Sequence, residues 1–373
     1  MVPRLEVPTE ASALDFLAVF WWFSGTLFVH GYVLIAIAYV ALPSTLFWTC
    51  LLLYALHVFS GPEHSLRCEW RRFTDSFVTR APLQYFDANI LGGDQLDSVK
   101  GERVLLGIHP HGVYPIGGVL MYAGASPLLQ RHPWLRIRPC SASVLFRVPL
   151  VREYLLWTGH LDASRRTVSK HMKRAADDIA LCPGGEKEAL ATRNGQERVL
   201  LLGRAGFVRL ACMHGYHLVP TYAFGQNELF TVNTTLLASA RAALQRHLKV
   251  PQPRARDEIC ATKMTPRSRL GPWRGARSPR DLYPISVAVH AGRQVVFPVF
   301  WGRCGSPMPH RVRLSLAVGE PIRVPKPATP GAEPPAELVE RVHGEYVAAL
   351  RDAFERHKAE AGYADRELLI TRV

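Results

Sequence analysis

Apolar residues crowd the start of the chain and then settle into shorter runs. Phe16 to Val40 ("FLAVFWWFSGTLFVHGYVLIAIAYV") carries no formal charge. As a helix it reaches ~37 Å, enough to cross a ~30 Å hydrocarbon core with some tilt. Pro43 interrupts, and Ser44 to Phe59 ("STLFWTCLLLYALHVF") is a second uncharged run. At ~24 Å it suits a tilted or re-entrant return better than a straight span. Trp21, Trp22, Tyr39 and Trp48 are of the kind that settles at membrane interfaces. Arg67, Arg71, Arg72 and Arg80 follow, and this charge places what lies downstream on the cytosolic side. The pattern predicts a cytosolic tail over 1–15, a membrane helical hairpin over 16–60 and a cytosolic domain over 61–373. A signal peptide fits less well, because no basic region precedes the run and the run far exceeds the usual ~7–15 residues. A helical hairpin buried in a soluble core is the remaining alternative.

From about residue 80 the periodicity changes. Short continuous apolar runs at 103–108, 178–182, 217–224, 295–302 and 312–319 read as strands buried on both faces. Helical stretches at 163–178, 203–215 and 336–360 lie between or after them. In the last of these Val339, Val342, Tyr346, Leu350 and Phe354 form one apolar stripe. Alternation of this kind predicts an α/β domain with a mixed, mostly parallel sheet flanked by helices. Ligands of such sheets gather beyond the carboxyl ends of the strands, where the loops after 108, 182 and 224 fall. One segment breaks the pattern. Residues 250–294 are rich in Arg and Pro, and ~45 residues is far beyond an ordinary connection. The flanks "LQRHLK" and "VVFPVFWGR" read naturally if joined. A retained in-frame intron and a genuine insertion are both open readings, and a genuine insertion is expected to be irregular and disordered.

Composition narrows the partners. Lys and Arg exceed Asp and Glu by 14 charges, which favours anionic ligands or surfaces. No zinc-finger spacing, RNA-binding signature or Lys-rich arm accompanies the charge, so nucleic acid is not expected. The seven cysteines are odd in number, contain no CxxC and sit partly in apolar runs, as reduced buried thiols would.

The chemistry concentrates in two loops. In "LLGIHPHGVYPIGG" (105–118) His109 and His111 lie two apart, on one side of an extended chain. Pro110 stiffens the exit from the strand and Gly112 permits a tight turn. A histidine near its reference pKa of ~6.5 can take a proton from an alcohol and return it to a leaving group. Two structural histidines in a polar corner are the plainer reading. A metal pair would need a third ligand, for which only His214 and His217 offer themselves. The second loop, "LCPGGEKEAL" (181–190), follows a strand with Pro-Gly-Gly and starts a helix near Glu186. Its backbone amides at Gly184 and Gly185 can cradle a carboxylate, phosphate or oxyanion, and Glu188 falls in the first helical turn. Plain helix capping explains the same residues.

Four blocks in this order, "GIHPHG", "PGGEKEAL", "GRAGFVRLA…HG…LVPTYAFGQNE" and "MPHRVRLSLAVGEPIRVP", resemble the type-2 diacylglycerol acyltransferase family, which includes monoacylglycerol and wax-alcohol acyltransferases. The resemblance covers about 80–245 and 295–370. Asp87 stands where the family's Tyr-Phe-Pro block has its proline. The resemblance implies a glycerolipid-acyltransferase-like fold on the cytosolic face of the endoplasmic reticulum membrane or a lipid droplet. It implies acyl transfer from acyl-CoA to diacylglycerol, without metal or cofactor, and leaves monoacylglycerol or a long-chain alcohol as alternative acceptors. On this basis His109 is expected to be the general base, with His111 orienting it, both facing a cavity that a fatty chain can enter. Distantly similar acyltransferases pair the base with an aspartate five residues on, but that position is Tyr114 here, so Glu188 becomes the candidate carboxylate. Amides near Gly112, Gly184 and Gly185 are expected to hold the oxyanion, and Arg204 and Arg209 to meet the CoA phosphates. Membrane lipids are the expected surroundings, and a homo-oligomer is left open. A non-catalytic lipid-droplet protein and a metal-dependent lipid hydrolase are the readings from other classes.

Overall fold

A computed structural model describes residues 29–60, 69–174, 177–233, 299–329 and 331–372, with the two-residue strands 287–288 and 294–295. It divides into two units, 1–231 with 300–373, and 232–299. Within the second unit, Val287–Ala288 pairs antiparallel with Gln294–Val295. The rest of the irregular segment 250–294 lies outside the described residues, as do the tail 1–15 and residues 16–28 of the expected hairpin.

The first unit opens with α1 (Val29–Ala41) and, after Pro43, α2 (Ser44–Phe59). Among the described residues no helix is long and apolar enough to cross a membrane. The two helices leave large apolar side chains outside, with Val40 85% and Phe59 86% exposed. They are fastened to the domain through α3 (Val151–Trp157). The Tyr54 hydroxyl donates to both Glu153 carboxylate oxygens at 3.1 Å. The fully buried Arg152 donates to the His57 carbonyl at 3.3 Å and pairs with Glu153. A Cβ on Gly31 would collide with the Pro149 backbone, so only glycine lets α1 pack there.

The centre is a seven-stranded sheet. Its strands are β1 (Asn89–Gly92), β2 (Val104–His109), β3 (Ile137–Ser141), β4 (Leu161–Asp162), β5 (Asp178–Leu181), β7 (His217–Phe224) and β8 (Ser315–Val318), in the order β1-β8-β7-β2-β5-β3-β4. The block β7-β2-β5-β3-β4 is parallel throughout. At one edge β8 runs antiparallel to β7 and β1 runs parallel to β8. The expected mixed, mostly parallel sheet is therefore present. A separate parallel pair joins β6 (Glu197–Leu202) to β9 (Leu368–Arg372), bringing the end of the chain onto the domain.

The helices lie where the pattern puts them, trimmed at the ends: α4 (Arg165–Arg174), α5 (Gly185–Ala191), α6 (Gly206–His214) and α7 (Ala336–His357). The stripe Val339, Val342, Tyr346, Leu350, Phe354 is buried in one core with Leu105, Leu218 and Phe224 of the sheet. β2 and β7 are buried at every position, which accounts for their unbroken apolar runs. At the amino ends, the buried Asp178 carboxylate accepts the Val104 amide at 3.0 Å and the Arg136 amide at 2.8 Å, fixing three neighbouring strands in register. Within the apolar run 295–302, Val299–Trp301 is a strand and Val295 belongs to the strand Gln294–Val295, while 296–298 lie outside the described residues.

Candidate active site

Three loops meet at the carboxyl ends of the central strands, and side chains from two of them hold the third. His109 is the last residue of β2. The chain turns at Gly112, where φ is +63°, the conformation its lack of a side chain was expected to allow. The Gln226 side chain, on the loop after β7, accepts the Gly117 amide at 2.7 Å and donates to the carbonyls of His111 (3.3 Å) and Tyr114. A Cβ on Gly112 would collide with that amide group. From the loop after β5, Glu188 reaches the same segment. Its carboxylate accepts the His111 backbone amide at 2.5 Å and the Leu200 amide at 2.7 Å. A Cβ on Gly184 would run into this carboxylate, so the first glycine of the pair makes room for it.

Glu188 is thus joined to the histidine loop, but at its backbone. The expected carboxylate–imidazole pairing is replaced by a carboxylate–amide one. With 2% of its surface exposed, Glu188 has its pKa pushed up by burial to about 7, against the pull of its two amide partners and Arg204. Arg204 sits over the Pro-Gly-Gly turn and donates to the Gly184 carbonyl at 3.4 Å. Gly185 has φ +55° and open space where a side chain would be, and it begins α5. Arg209 is placed differently. It pairs with Glu333 at the surface.

The two histidines differ. His111 is half-buried, and its Nδ1 lies 2.9 Å from the Gly112 carbonyl. That contact requires Nδ1 to carry the proton and leaves Nε2 as the lone-pair nitrogen. His109 is fully buried. Its Nε2 lies 3.1 Å from the Tyr346 hydroxyl of α7, and its Nδ1 is buried without a hydrogen-bond partner. Burial pushes its pKa down to about 3, so the ring is neutral across the physiological range. An imidazole open to a lipid-sized cavity is the expectation from sequence, whereas here His109 is enclosed. An apolar cavity of about 270 Å³ lies instead against α1 and α2, lined by Leu34, Ala38, Phe47, Leu51, Leu150 and Glu153.

The remaining candidate ligands are occupied. His214 Nε2 is 2.8 Å from Ser169 Oγ, and His217 binds Glu102 at 2.7 Å and accepts the Val324 amide at 3.0 Å. Among the described residues no group of three or more His, Cys, Asp or Glu side chains is placed to hold a metal ion. Cys50, Cys140, Cys182, Cys212 and Cys304 are free thiols; Cys212 is buried as expected, whereas Cys50 and Cys304 are exposed. Sequence reasoning gave no role to Gln226 or Tyr346. The signal for Tyr346 was available in Gly107, an isolated glycine inside a buried strand, which marks a close approach by another group.

Known proteins are similar to this chain over most of its length. The chain is 27% identical over 300 residues to diacylglycerol O-acyltransferase 2 of Dictyostelium discoideum, covering 80% of this chain and 75% of that one. It is 24% identical to the Xenopus laevis protein of the same name, over 99% of this chain and 91% of that one. It is 27% identical to human 2-acylglycerol O-acyltransferase 3, over 79% of this chain and 75% of that one. Among solved structures, the 1-acyl-sn-glycerophosphate acyltransferase PlsC of Thermotoga maritima aligns over 91% of this chain and 97% of its own, with 12% identity and a TM-score of 0.39. The diacylglycerol acyltransferase family model matches residues 40–251 and 279–372, passing over 252–278 inside the irregular segment. With both histidines, the glycine pair and Glu188 inside the matched residues, the chain belongs to the diacylglycerol acyltransferase family and is an acyltransferase.

Proposed function

We propose that this enzyme esterifies diacylglycerol to triacylglycerol from acyl-CoA, with His109 as the general base. The observation that carries the reading is the knitting of His109–Gly112 to the two other strand-end loops by Glu188 and Gln226. Chemistry of this kind needs an acceptor hydroxyl stripped of its proton and a stabilised oxyanion. His109 takes the hydroxyl proton. The oxygen attacks the thioester carbonyl, the C–S bond breaks, and the departing thiolate recovers the proton. Amides of the Gly184–Gly185 turn or of Gly112 face the developing oxyanion, and Arg204 meets a CoA phosphate. No metal or other cofactor enters this scheme. Because His109 is enclosed, the acceptor reaches it only when groups packed around it move. The hairpin over 16–60, which includes α1 and α2, lies in the endoplasmic reticulum membrane or on a lipid droplet, with the tail 1–15 and the catalytic domain facing the cytosol.

His111 is the second reading for the base, favoured by its half-buried ring and lone-pair Nε2. The acceptor likewise has a second reading, since a 2-acylglycerol acyltransferase is about as similar as the diacylglycerol enzymes. Microsomes from a host lacking neutral-lipid synthesis, given labelled acyl-CoA with diacylglycerol, monoacylglycerol or fatty alcohol, test both. Triacylglycerol is the expected product, and His109→Ala is expected to lose at least ~10²-fold in rate. Near-native turnover by His109→Ala, with His111→Ala inactive at equal expression, would transfer the base to His111.

A further inference from the structure

We infer that Tyr346 is the positioning residue of His109, doing from α7 what a carboxylate at position 114 does in distantly similar acyltransferases. The inference rests on reading His109 as the base. The two side chains come from positions 237 residues apart, and both are fully buried. The 3.1 Å separation between Nε2 and the hydroxyl assigns that nitrogen to Tyr346. Nδ1 is left without a partner, and it is therefore the atom free to meet a substrate. A buried polar atom that lacks a partner costs free energy unless something completes it, and an acceptor hydroxyl is such a group.

The strand is shaped around this contact. A Cβ on Gly107 would collide with the Tyr346 hydroxyl and lie 3.0 Å from its ring carbon Cζ. A glycine in the middle of a central strand loses side-chain packing and strand preference. Here its absent side chain is the space in which the phenol reaches His109. Phe207 packs edge-on against the tyrosine ring, 4.8 Å between centroids. Burial keeps the phenol neutral, since its pKa lies well above the ordinary value and the nearby Cys182 and Glu188 raise it further.

A neutral phenol can donate or accept. When Nδ1 takes the proton of the acceptor hydroxyl, both ring nitrogens carry hydrogen, and the phenol oxygen accepts from Nε2–H. The proton then passes from Nδ1 to the leaving thiolate, and Tyr346 ends the cycle unchanged. Tyr346 thus selects the reacting nitrogen and steadies the transient imidazolium, without touching either substrate.

Steady-state kinetics of the full-length enzyme in vesicles test this with Tyr346→Phe, His109→Ala and the double variant. Tyr346→Phe is expected to lower kcat roughly 10- to 100-fold, as for a lost hydrogen bond to a group that becomes charged, with KM for acyl-CoA and acceptor unchanged. In the His109→Ala background the same change is expected to do nothing, because the group it positions is gone. A Tyr346→Phe enzyme with native kcat beside an inactive His109→Ala overturns the positioning role alone. Native kcat for His109→Ala overturns the underlying reading. Equal fractional losses from Tyr346→Phe in both backgrounds would mark the tyrosine as structural and overturn the inference.

Discussion

The glycine-rich strand-end loops and the apolar helical hairpin are treated in opposite ways by the fold. In the loops nearly every contact runs inward. Glu188 and Gln226 take up backbone groups of the histidine loop, Tyr346 closes on His109, and Gly112, Gly117 and Gly184 stand where side chains would collide. In the described part of the hairpin, Tyr54, Glu153, Arg152 and the close packing at Gly31 hold α1 and α2 to the domain, and large apolar side chains such as Val40, Leu52, Leu53 and Phe59 face outward. A contiguous apolar surface of that kind marks contact with a lipid phase or another protein. The difference separates a site whose geometry is determined internally from a surface that needs a medium to complete it.

Substitutions can break that contrast, and melting of detergent-solubilised protein ranks them. Glu188→Ala is expected to cost most, about 1–3 kcal/mol for each of the two amides it would orphan. A native melt for Glu188→Ala would show that the carboxylate does not hold the loop. Glu188→Gln keeps an acceptor and should melt closer to native, while revealing the acid's own pH dependence. The folded pKa of about 7 lies above the ordinary 4.5, so the native state keeps a proton the unfolded chain has released. The stability this gives is complete below about pH 4.5 and lost as the pH rises through 7. Relative to Glu188→Gln, the native enzyme should therefore weaken over that window, and parallel pH profiles would contradict the buried acid.

Gly107→Ala comes next, at about 1–3 kcal/mol for overpacking a filled core. Adding Tyr346→Phe should recover part of the loss by removing the oxygen the new methyl meets. A double variant no more stable than Gly107→Ala would mean that the crowding lies elsewhere. Gln226→Leu keeps the volume but drops bonds to three backbone groups, and about 1–2 kcal/mol is expected. An unchanged melt there would leave Glu188 as the loop's main anchor. Leu52→Glu with Leu53→Glu should move the melt least, within ~0.5 kcal/mol, as for exposed positions. Liposome flotation is where that pair should fail. A large fall in melting temperature with flotation intact would make the hairpin part of a soluble core.

Local pattern was enough for the frame of this protein. Continuous apolar runs identified β2, β5, β7 and β8 because strands buried on both faces admit nothing else. The 3.6-residue stripe identified α7, and three strand ends followed by loops pointed to the candidate site. β1, β3, β4, β6 and β9 were missed: β1 and β4 are edge strands and β3 lies beside one, where the apolar signal is diluted, while β6 and β9 pair outside the main sheet.

What only the tertiary structure decided is which groups meet. Tyr346 reads as one more apolar position on a helix, and Gln226 as part of a loop, until folding brings them to a histidine 237 and a backbone more than 100 residues away. The role of Glu188 changed for the same reason, since spacing can place a carboxylate near a loop but cannot say whether it binds a ring or an amide. The enclosure of His109 likewise follows from how three loops and a distant helix fill space together. A linear pattern records which residues prefer burial, and packing in three dimensions determines their partners.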